Sequence, residues 1–384
     1  MSAVADGAAE PIAIVVGAGI AGASAAWALA EHGPVVLVER EPSAGFHASG
    51  RSASVLSETS GHRVVCALAA ASRPFFESPP QGFAEHPLLS PRGLLWVGET
   101  GDATALDALA RDAASIAPTV RRVTADEVRE LVPAMRAPAV AGGGTFEPDA
   151  MAIDTDALLH GFLRGLRSRG GRLCVSSEAI EARRTDDGWQ VLAGDRSWTA
   201  PVVVNASGAW GDALAVRAGV RPIGLEPRRR TACIVPLAEA EPGWPLVMDV
   251  ASRYYFEPEA GGLLVSPADT TQCEPCDAQA DEIDVAIALD RVREATTLPV
   301  RSVRRAWAGL RTFSPDGAPV VGDEPDAPGF FWLVGQAGAG IKTAPAMAAA
   351  LVALVHGAPL PDALLSRGVT AADLSPARFR RDAA

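Results

Sequence analysis

The sequence predicts an α/β protein in which a domain built on a parallel sheet is interrupted by a second, mainly antiparallel α+β domain. Two observations predict this arrangement. Continuous apolar stretches at 12–16, 35–38, 201–205 and 330–334 are typical of the buried strands of a parallel sheet. The stretches that separate them hold short alternating strands and proline-rich turns, which favour an antiparallel sheet.

The first element is a strand that runs into a glycine-rich turn at the start of an alanine-rich helix. The turn carries the pattern G-x-G-x-x-G at Gly17, Gly19 and Gly22. Gly17 allows a tight turn, Gly19 allows close approach of a pyrophosphate, and Gly22 lets the helix lie close to the sheet. Glu39 ends the second strand, at the distance where an acid binds a ribose diol. These features predict a dinucleotide site with its phosphates at the helix N-terminus.

The later elements of this domain follow from helix and strand signals. Asp154 is a good N-cap for an amphipathic helix that ends at Gly170, and a strand over 172–175 follows. The strand over 330–334 leads into a glycine cluster and a helix rich in alanine and leucine. The sequence therefore predicts that the nucleotide-binding domain comprises residues 1–60, 145–222 and 302–384.

The inserted substrate domain is predicted over residues 61–144 and 223–301. A short strand at 93–98 belongs to it, and the stretches 254–256 and 262–266 are predicted to form a hairpin. Both pieces of this domain are expected to share one largely antiparallel sheet.

Composition excludes several classes of function. A chain of 384 residues exceeds one comfortable core, which favours two domains. Its net charge of −12 disfavours nucleic acid or an anionic membrane as a partner. The N-terminus lacks the pattern of a signal peptide, and no apolar stretch approaches a membrane span. We expect a cytoplasmic protein without stable membrane insertion.

The cysteines give little indication of function. Their odd number, five, argues against a disulfide framework. Cys273 and Cys276 form a lone C-x-x-C without a second pair or a histidine at metal spacing, so we expect no metal site.

Several motifs along nearly the whole chain together resemble one family. They are GAGIAGAS (17–24), GFHASGRS (45–52), FAEHPLLSP (83–91), IDTDA (153–157), NASGAW (205–210), WAGLRT (307–312) and FFW (330–332). The chain resembles the D-amino acid oxidase/glycine oxidase superfamily of FAD-dependent oxidoreductases, and most closely its bacterial D-arginine dehydrogenase branch. This resemblance implies a Rossmann-like FAD-binding domain with an inserted substrate domain.

The resemblance also implies which residues contact FAD. They are Gly17, Gly19, Ile20, Ala21, Gly22, Glu39, Arg40, His47, Ala48, Ser49, Gly50, Arg51, Ser52, Ala179, Ala206, Gly208, Trp210, Gly309, Gly338, Ala339, Gly340, Ile341, Lys342 and Thr343. Some distant members link the flavin to a histidine near His47, but the closer branch with this pattern holds FAD non-covalently. The segment 310–314 also lacks the cysteine to which sarcosine oxidases attach the flavin. We therefore expect non-covalent FAD.

The mechanism that the resemblance implies is hydride transfer from the substrate Cα to flavin N5. The resulting imine is hydrolysed to a 2-oxo acid and ammonia. Arg230 and Arg311 match the family's clamp for the substrate carboxylate, a role that suits the planar guanidinium. Tyr255 matches a tyrosine over the flavin, and Lys342 replaces a glutamine, as in sarcosine-oxidase-like members where a lysine helps hold the carboxylate.

The substrate pocket departs from the D-arginine branch. Leu94 stands where that branch has the glutamate that pairs with the guanidinium of the substrate. The other pocket positions are Val55, Ser57, Ser60, Leu246, Met248 and Gly338. A cation without a carboxylate partner is disfavoured in such surroundings, so neutral or apolar D-amino acids are the expected substrates.

Two alternatives stay open at this stage. One is oxidation of sarcosine, glycine or proline, which Lys342 would allow. The other is a flavin-binding protein without catalytic activity, against which the two arginines and Tyr255 argue. The electron acceptor is expected to be oxygen or a quinone, and the sequence does not distinguish them.

Overall fold

The computed structural model describes residues 10–259 and 261–380. The strands of this part of the chain are Ala13–Val16 (β1), Val35–Val38 (β2), Val55–Leu56 (β3), Leu89–Pro91 (β4), Leu94–Val97 (β5), Arg121–Val123 (β6), Gly144–Glu147 (β7), Met151–Ile153 (β8), Arg172–Cys174 (β9), Ala179–Thr185 (β10), Gly188–Ala193 (β11), Arg196–Ala200 (β12), Val202–Asn205 (β13), Glu226–Pro236 (β14), Leu246–Asp249 (β15), Tyr255–Glu259 (β16), Gly262–Ser266 (β17), Thr271–Gln272 (β18), Arg305–Phe313 (β19), Val320–Asp323 (β20), Phe330–Val334 (β21) and Gln336–Ala337 (β22).

The α-helices connect these strands and cover the sheets. They are Ile20–Leu29 (α1), Arg63–Glu77 (α2), Ala103–Ala114 (α3), Ala125–Leu131 (α4), Thr155–Ser168 (α5), Gly211–Arg217 (α6), Glu282–Ala295 (α7), Gly340–Val355 (α8), Asp362–Leu365 (α9) and Ala371–Leu374 (α10). None of the described helices is both long and apolar enough to span a membrane.

The part of the chain that was predicted to bind a nucleotide is built on a six-stranded sheet in the order β20-β21-β13-β1-β2-β9. β21, β13, β1, β2 and β9 run parallel, and β20 pairs antiparallel with β21 at one edge. The central strands β1, β2 and β13 are almost wholly buried, as their continuous apolar sequences predict. The carboxyl ends of the parallel strands therefore meet at one edge of the sheet, where ligands of such folds bind. The α/β fold class expected from the sequence is confirmed.

The second large sheet carries the residues that were predicted to bind the substrate, Arg230, Tyr255 and Arg311. Its order is β22-β19-β14-β17-β16-β15-β5-β7-β6, with β18 added beside β14. Its pairings are antiparallel except that of β5 with β15. The predicted hairpin is the pair β16–β17, and the strand expected at 93–98 is β5. Both predictions are confirmed.

Sheet membership cuts across the predicted domain ranges at three places. β19 falls within 302–384 but pairs along its whole length with β14 in the antiparallel sheet. β7 pairs with β5 and β6 in that same sheet, although most of it falls within 145–222. α2 falls within 61–144, yet its apolar face packs into the core that also contains α1 and α8. The ranges themselves stay a prediction.

The helix predicted after Asp154 is α5, and its ends have the expected chemistry. The Asp154 carboxylate accepts a hydrogen bond from the backbone N–H of Ala157 at 2.9 Å. Gly170 follows with a φ of 80°, which favours glycine and ends the helix. α5 packs against α1, so it fixes the helix whose first turn borders the candidate site.

Candidate active site

An elongated cleft runs from the carboxyl ends of β1, β2 and β13 to the inner face of the antiparallel sheet. Its nucleotide end is bordered by the turn between β1 and α1 and by the segment 45–53. Its other end is bordered by β14, β16, β19 and the segment 336–341. The cleft therefore joins the glycine-rich turn to the predicted arginine clamp.

The glycine-rich turn has the tight geometry that its sequence predicts. Gly17 has a φ of 101°, and a Cβ there would lie 2.6 Å from the carbonyl oxygen of Ala206. A Cβ at Gly22 would lie 1.8 Å from the carbonyl oxygen of Gly17. Ile20, the first residue of α1, donates its backbone N–H to Ser49 Oγ at 2.8 Å. The amide end of α1 thus faces the cleft, in a position that suits a phosphate.

Glu39 lies at the end of β2 and borders the cleft. Its Oε2 accepts the backbone N–H of Ala18 at 2.7 Å, and its Oε1 accepts that of Glu41 at 2.9 Å. These bonds fix the carboxylate at the edge of the cleft. Each carboxylate oxygen can accept a further hydrogen bond, so a ribose diol remains a suitable partner.

His47 is held between an aromatic ring and a carboxylate. Its ring lies 4.6 Å from that of Trp210, and its Nε2 is 3.0 Å from Glu41 Oε1. The Arg40 guanidinium covers the other part of the stack, 4.8 Å from the Trp210 ring centre. The sequence did not indicate the role of Glu41, since nothing marked it as the partner of His47.

Arg51 borders the cleft, but its guanidinium is bound to protein groups. Nη1 donates to the carbonyl oxygens of Ala278 and Ala308 at 2.9 Å each, and Nη2 lies 2.5 Å from Asp277 Oδ1. Nε donates to the carbonyl oxygen of Phe46. The contact with the cofactor expected of this side chain is thus not available in this arrangement. Arg51 instead ties the segment 46–51 to the substrate side.

Most of the residues predicted to contact the cofactor border the cleft. They are Gly17, Gly19, Ile20, Ala21, Glu39, Arg40, His47, Ala48, Ser49, Arg51, Ser52, Ala179, Ala206, Gly208, Trp210, Gly309, Gly338, Gly340 and Ile341. The others lie behind this lining and support it: Gly22, Gly50, Ala339, Lys342 and Thr343. That these residues bind the cofactor stays a prediction.

Arg230 and Arg311 lie on neighbouring strands and border the cleft together with Tyr255. Arg230 donates Nε to the carbonyl oxygen of Asp269 at 2.7 Å, and its guanidinium lies 5.8 Å from the Tyr255 ring centre. Tyr255 faces the cleft, whereas Tyr254 packs into the core on the other face of the sheet. The structure therefore brings the three predicted substrate-binding groups together.

The Arg311 guanidinium is the least compensated charge of the site. Within the described part of the chain it makes no hydrogen bond or ion pair. Its exposed part borders the cleft, and protein surrounds the remainder. Burial and the neighbouring charge of Arg230 lower the pKa of Arg311 to about 10. A Cβ at Gly338 would lie 2.9 Å from the Cζ of Arg311, so the glycine leaves room for the guanidinium.

Lys342 does not lie where the clamp prediction requires it. Its ammonium group is buried behind the lining and donates to Ser57 O, Ser60 O and Ser60 Oγ, each at 2.9 Å. All three of its donors are therefore occupied by the segment 57–60. Direct contact of Lys342 with a substrate carboxylate is not available in this arrangement.

The predicted pocket residues divide into two groups. Val55, Leu94, Leu246 and Met248 pack together with Tyr255 in one apolar cluster. Leu94 and Leu246 are register partners on β5 and β15. Ser57 and Ser60 instead belong to the polar segment that binds Lys342. Of the predicted pocket residues, only Gly338 borders the cleft itself.

Two further polar residues, which the sequence analysis did not predict as site residues, fix the backbone around the cleft. Asn205 at the end of β13 is buried, donates to the carbonyl oxygen of Gly211 at 2.8 Å and accepts the Ser207 hydroxyl at 2.7 Å. Asp269 accepts from the backbone N–H of Thr231 at 2.7 Å, so it fixes β14 beside Arg230. The motif NASGAW (205–210) includes Asn205, but no sequence signal singled out Asp269.

Comparison with known proteins decides the family. A family model described as FAD dependent oxidoreductase (DAO) matches residues 13–354. The chain belongs to this DAO family. This FAD-dependent oxidoreductase is 26% identical to glycine oxidase of Geobacillus kaustophilus over 382 residues, which cover 96% of each chain. The crystal structure of glycine oxidase from that organism has a TM-score of 0.81 at 23% identity, over 90% of this chain and 95% of that one.

This DAO-family protein is also similar to two further proteins. L-proline dehydrogenase from P. horikoshii has the same fold, with a TM-score of 0.83 at 18% identity over 97% of this chain and 99% of that one. FAD-dependent oxidoreductase domain-containing protein 1 of Bos taurus is 31% identical over 174 residues. That match covers 40% of this chain and 35% of the bovine protein. The finer resemblance to the D-arginine branch stays a prediction.

The residues of the cleft fit the FAD that this family uses. The turn at Gly17 and Gly19 has no side chains that would block a pyrophosphate, and the amide end of α1 favours its charge. The fixed Glu39 carboxylate suits the ribose next to it. The amide end of α8, at Gly340 and Ile341, borders the opposite end of the cleft, where it favours negative charge on a reduced flavin ring.

Proposed function

We propose that this enzyme oxidises the Cα–N bond of neutral amino acids, with the D-enantiomer as its substrate where a side chain is present. One observation carries the proposal. The Arg311 guanidinium is desolvated, has no anionic partner in the described part of the chain, and borders the cleft beside Arg230. Two like charges held close together are unfavourable unless an anion joins them. A substrate carboxylate is the small anion that a guanidinium pair suits best.

The surroundings of the clamp favour a neutral substrate. The cluster next to Tyr255 consists of hydrocarbon from Val55, Leu94, Leu246 and Met248. A leucine-sized substrate group that packs against this cluster from the cleft would contribute roughly 1.5–3 kcal/mol, whereas a guanidinium would lose hydration without gaining a partner. The preference for D-enantiomers rests on the sequence resemblance and is part of the proposal.

A second candidate is oxidation of glycine or of a secondary amine such as sarcosine or proline. Its support is the close packing of the cluster, in which Leu94 is only 1% exposed and Leu246 8% exposed. The residues that border the cleft near the clamp include the small side chains of Ala53 and Ala232 as well as Tyr255. Glycine oxidase and L-proline dehydrogenase, two similar proteins, are named for compact substrates.

The chain's own residues would bind and orient the substrate. Arg230 and Arg311 would hold its carboxylate, and the Tyr255 hydroxyl would donate to it or accept from the amine. Bound FAD supplies the chemistry, by accepting the two electrons and the hydrogen that leave Cα. The fixed clamp would contribute by aiming the Cα hydrogen at the flavin.

Anaerobic mixing of the FAD-loaded enzyme with single amines tests both candidates. The panel contains glycine, sarcosine, L-proline, D-alanine, D-leucine, D-methionine and D-arginine, with the L-enantiomers as controls. Bleaching of the flavin absorbance by D-leucine or D-methionine supports the first candidate. Bleaching confined to glycine, sarcosine or proline supports the second. If no amine reduces the flavin, the chain is a flavin-binding protein without this activity and both candidates fail. Mixing the reduced enzyme with oxygen or with a quinone then identifies the acceptor.

A further inference from the structure

Lys342 is the only lysine in the sequence, and it is buried. It lies in the first turn of α8, where the helix dipole disfavours a positive charge. No carboxylate lies within ion-pair distance of it in the described part of the chain. Its ammonium group instead binds three oxygen atoms of the segment 57–60. This segment connects β3 to α2.

Glu147, a second buried charge, holds the same segment by other atoms. It is only 3% exposed and ends β7. Its Oε2 accepts the hydroxyls of Ser57 and Thr59 at 2.7 and 2.5 Å. Its Oε1 accepts the backbone N–H of Glu58 at 3.2 Å. Ser57 therefore bridges the two charges, since its carbonyl oxygen binds Lys342 and its hydroxyl binds Glu147.

We infer that Glu147 is a positioning residue for substrate binding, which acts through the segment 57–60 to hold the Lys342 ammonium group charged and fixed behind the Arg311 clamp. The inference rests on the proposed function. Lys342 does not touch the substrate in this arrangement, but it directly follows Gly340 and Ile341, which border the cleft, and Gly338 in the same segment lies against the Arg311 guanidinium. A fixed positive charge behind the clamp strengthens the binding of a carboxylate.

The charges that face Lys342 come from several elements. Burial lowers the pKa of Lys342 to about 8. Three acidic groups raise this pKa: the Cys66 thiol on α2, Glu147 on β7 and Glu58. The positive charge of Arg311 on β19 lowers it further. Glu58 is itself paired with Arg73 on the outer side of the segment. Removal of the Glu147 charge is therefore expected to lower the pKa of Lys342 further.

A competing role for Glu147 is recognition of a cationic substrate side chain. Glu147 is the register partner of Leu94, the position of the glutamate in the D-arginine branch. Its oxygens, however, already accept two hydroxyls and one N–H from the segment 57–60. We therefore favour positioning, and the two roles differ in the experiments that follow.

The single lysine allows a direct measurement. The enzyme is produced with lysine labelled with ¹³C at Cε and is loaded with FAD. Its NMR spectrum then contains one lysine side-chain signal, and the pH titration of this signal reports the pKa of Lys342. In Glu147→Gln the midpoint should fall by about half a pH unit or more, because the charge that favours the ammonium form is gone. Glu77→Gln is the matched control: Glu77 is 53% exposed, lies on α2 and pairs with Arg73. An unchanged midpoint in Glu147→Gln, or an equal shift in Glu77→Gln, would overturn the inference.

Binding of propionate, a carboxylate without an amine, provides the second measurement and needs no turnover. It is followed by the change in flavin absorbance of the oxidised enzyme. Glu147→Gln and Lys342→Met should each weaken binding by about tenfold, and the double variant should be no weaker than Lys342→Met, since both act through one segment. If the two effects multiply, the residues act independently and the inference fails.

Two further outcomes separate this inference from its rivals. If Glu147→Gln binds propionate normally but selectively loses turnover of D-arginine relative to D-leucine, Glu147 recognises a substrate cation and positioning is refuted. Should Glu147→Gln fail to fold, Thr59→Val removes one hydroxyl from the carboxylate and is expected to weaken propionate binding several-fold, whereas unchanged binding contradicts the inference. Absence of flavin reduction by any amine defeats the proposed function but leaves the lysine titration and the propionate assay interpretable.

Discussion

Replacing Arg311 by methionine should weaken catalysis while it stabilises the folded protein. Methionine keeps much of the volume of the side chain and removes its charge. For a residue that merely supports the fold, activity and stability fall together. For a guanidinium that has no anionic partner until the substrate binds, activity should fall while stability rises.

The size of the stability change follows from the pKa of Arg311, which burial and the charge of Arg230 lower from the ordinary value of an arginine to about 10. Because the unfolded chain then holds this proton more tightly, the charge destabilises the folded state below about pH 10, and the effect fades as the pH rises above that value. The difference corresponds to at most about 3 kcal/mol at neutral pH. It is an upper figure, since part of the side chain is open to solvent through the cleft.

The loss of catalysis follows from the loss of a charge-assisted pair with the substrate. Such a truncation costs about 2–4 kcal/mol, or a decrease of about 30-fold to several hundred-fold in kcat/KM. Urea unfolding of the ligand-free enzyme at pH 7 measures the change in stability. Anaerobic flavin reduction by the best amine measures the change in catalysis. Arg228→Met is the control, because Arg228 is the register partner of Arg311 but is paired with Glu226.

Two results would refute this reasoning. A kcat/KM within twofold of the wild type in Arg311→Met would mean that the substrate carboxylate is bound elsewhere. A loss of stability in Arg311→Met larger than in Arg228→Met would mean that the Arg311 charge is compensated in the folded protein.

Three other predictions concern the cleft. Gly338→Ala should weaken propionate binding by about tenfold or more without loss of FAD, because its Cβ would lie 2.9 Å from Arg311; equal loss of bound flavin would contradict this. Acid denaturation followed by filtration should release all of the flavin as free FAD, and flavin that stays on the polypeptide would show a covalent link, for which His47 is the candidate. Leu94→Glu should raise kcat/KM for D-arginine relative to D-leucine. It should also lower the melting temperature more at pH 8 than at pH 5, because Glu147 lies directly opposite; a pH-independent loss would argue against that pairing.

The elements that were predicted correctly are those whose sequence signal is local. The buried strands β1, β2, β13 and β21, the capped helix α5 and the hairpin β16–β17 each follow from a pattern within a few residues. The glycine-rich turn belongs to the same class, because its backbone demands glycine in the sequence itself.

Two predicted side-chain roles are not available in this arrangement because of long-range contacts. Arg51 was expected to contact the cofactor, but Asp277 and the carbonyl oxygens of Ala278 and Ala308, far along the chain, take its donors. Lys342 was expected in the clamp, but the segment 57–60 binds its ammonium group. Neither partner is marked by any local pattern. The sequence did not indicate a role for Glu147 for the same reason: it is a single carboxylate in a short strand, and its partners lie far from it in the sequence.

The bonds of Arg51 also bear on how long the enzyme keeps its cofactor. This side chain joins Phe46, at the nucleotide end of the cleft, to Asp277, Ala278 and Ala308 on the substrate side. Any opening that separates the segment 46–51 from β19 has to break these bonds together. We expect release of FAD to require this opening. Because salt weakens the Arg51–Asp277 ion pair, the lifetime of the holoenzyme should then shorten as the ionic strength rises.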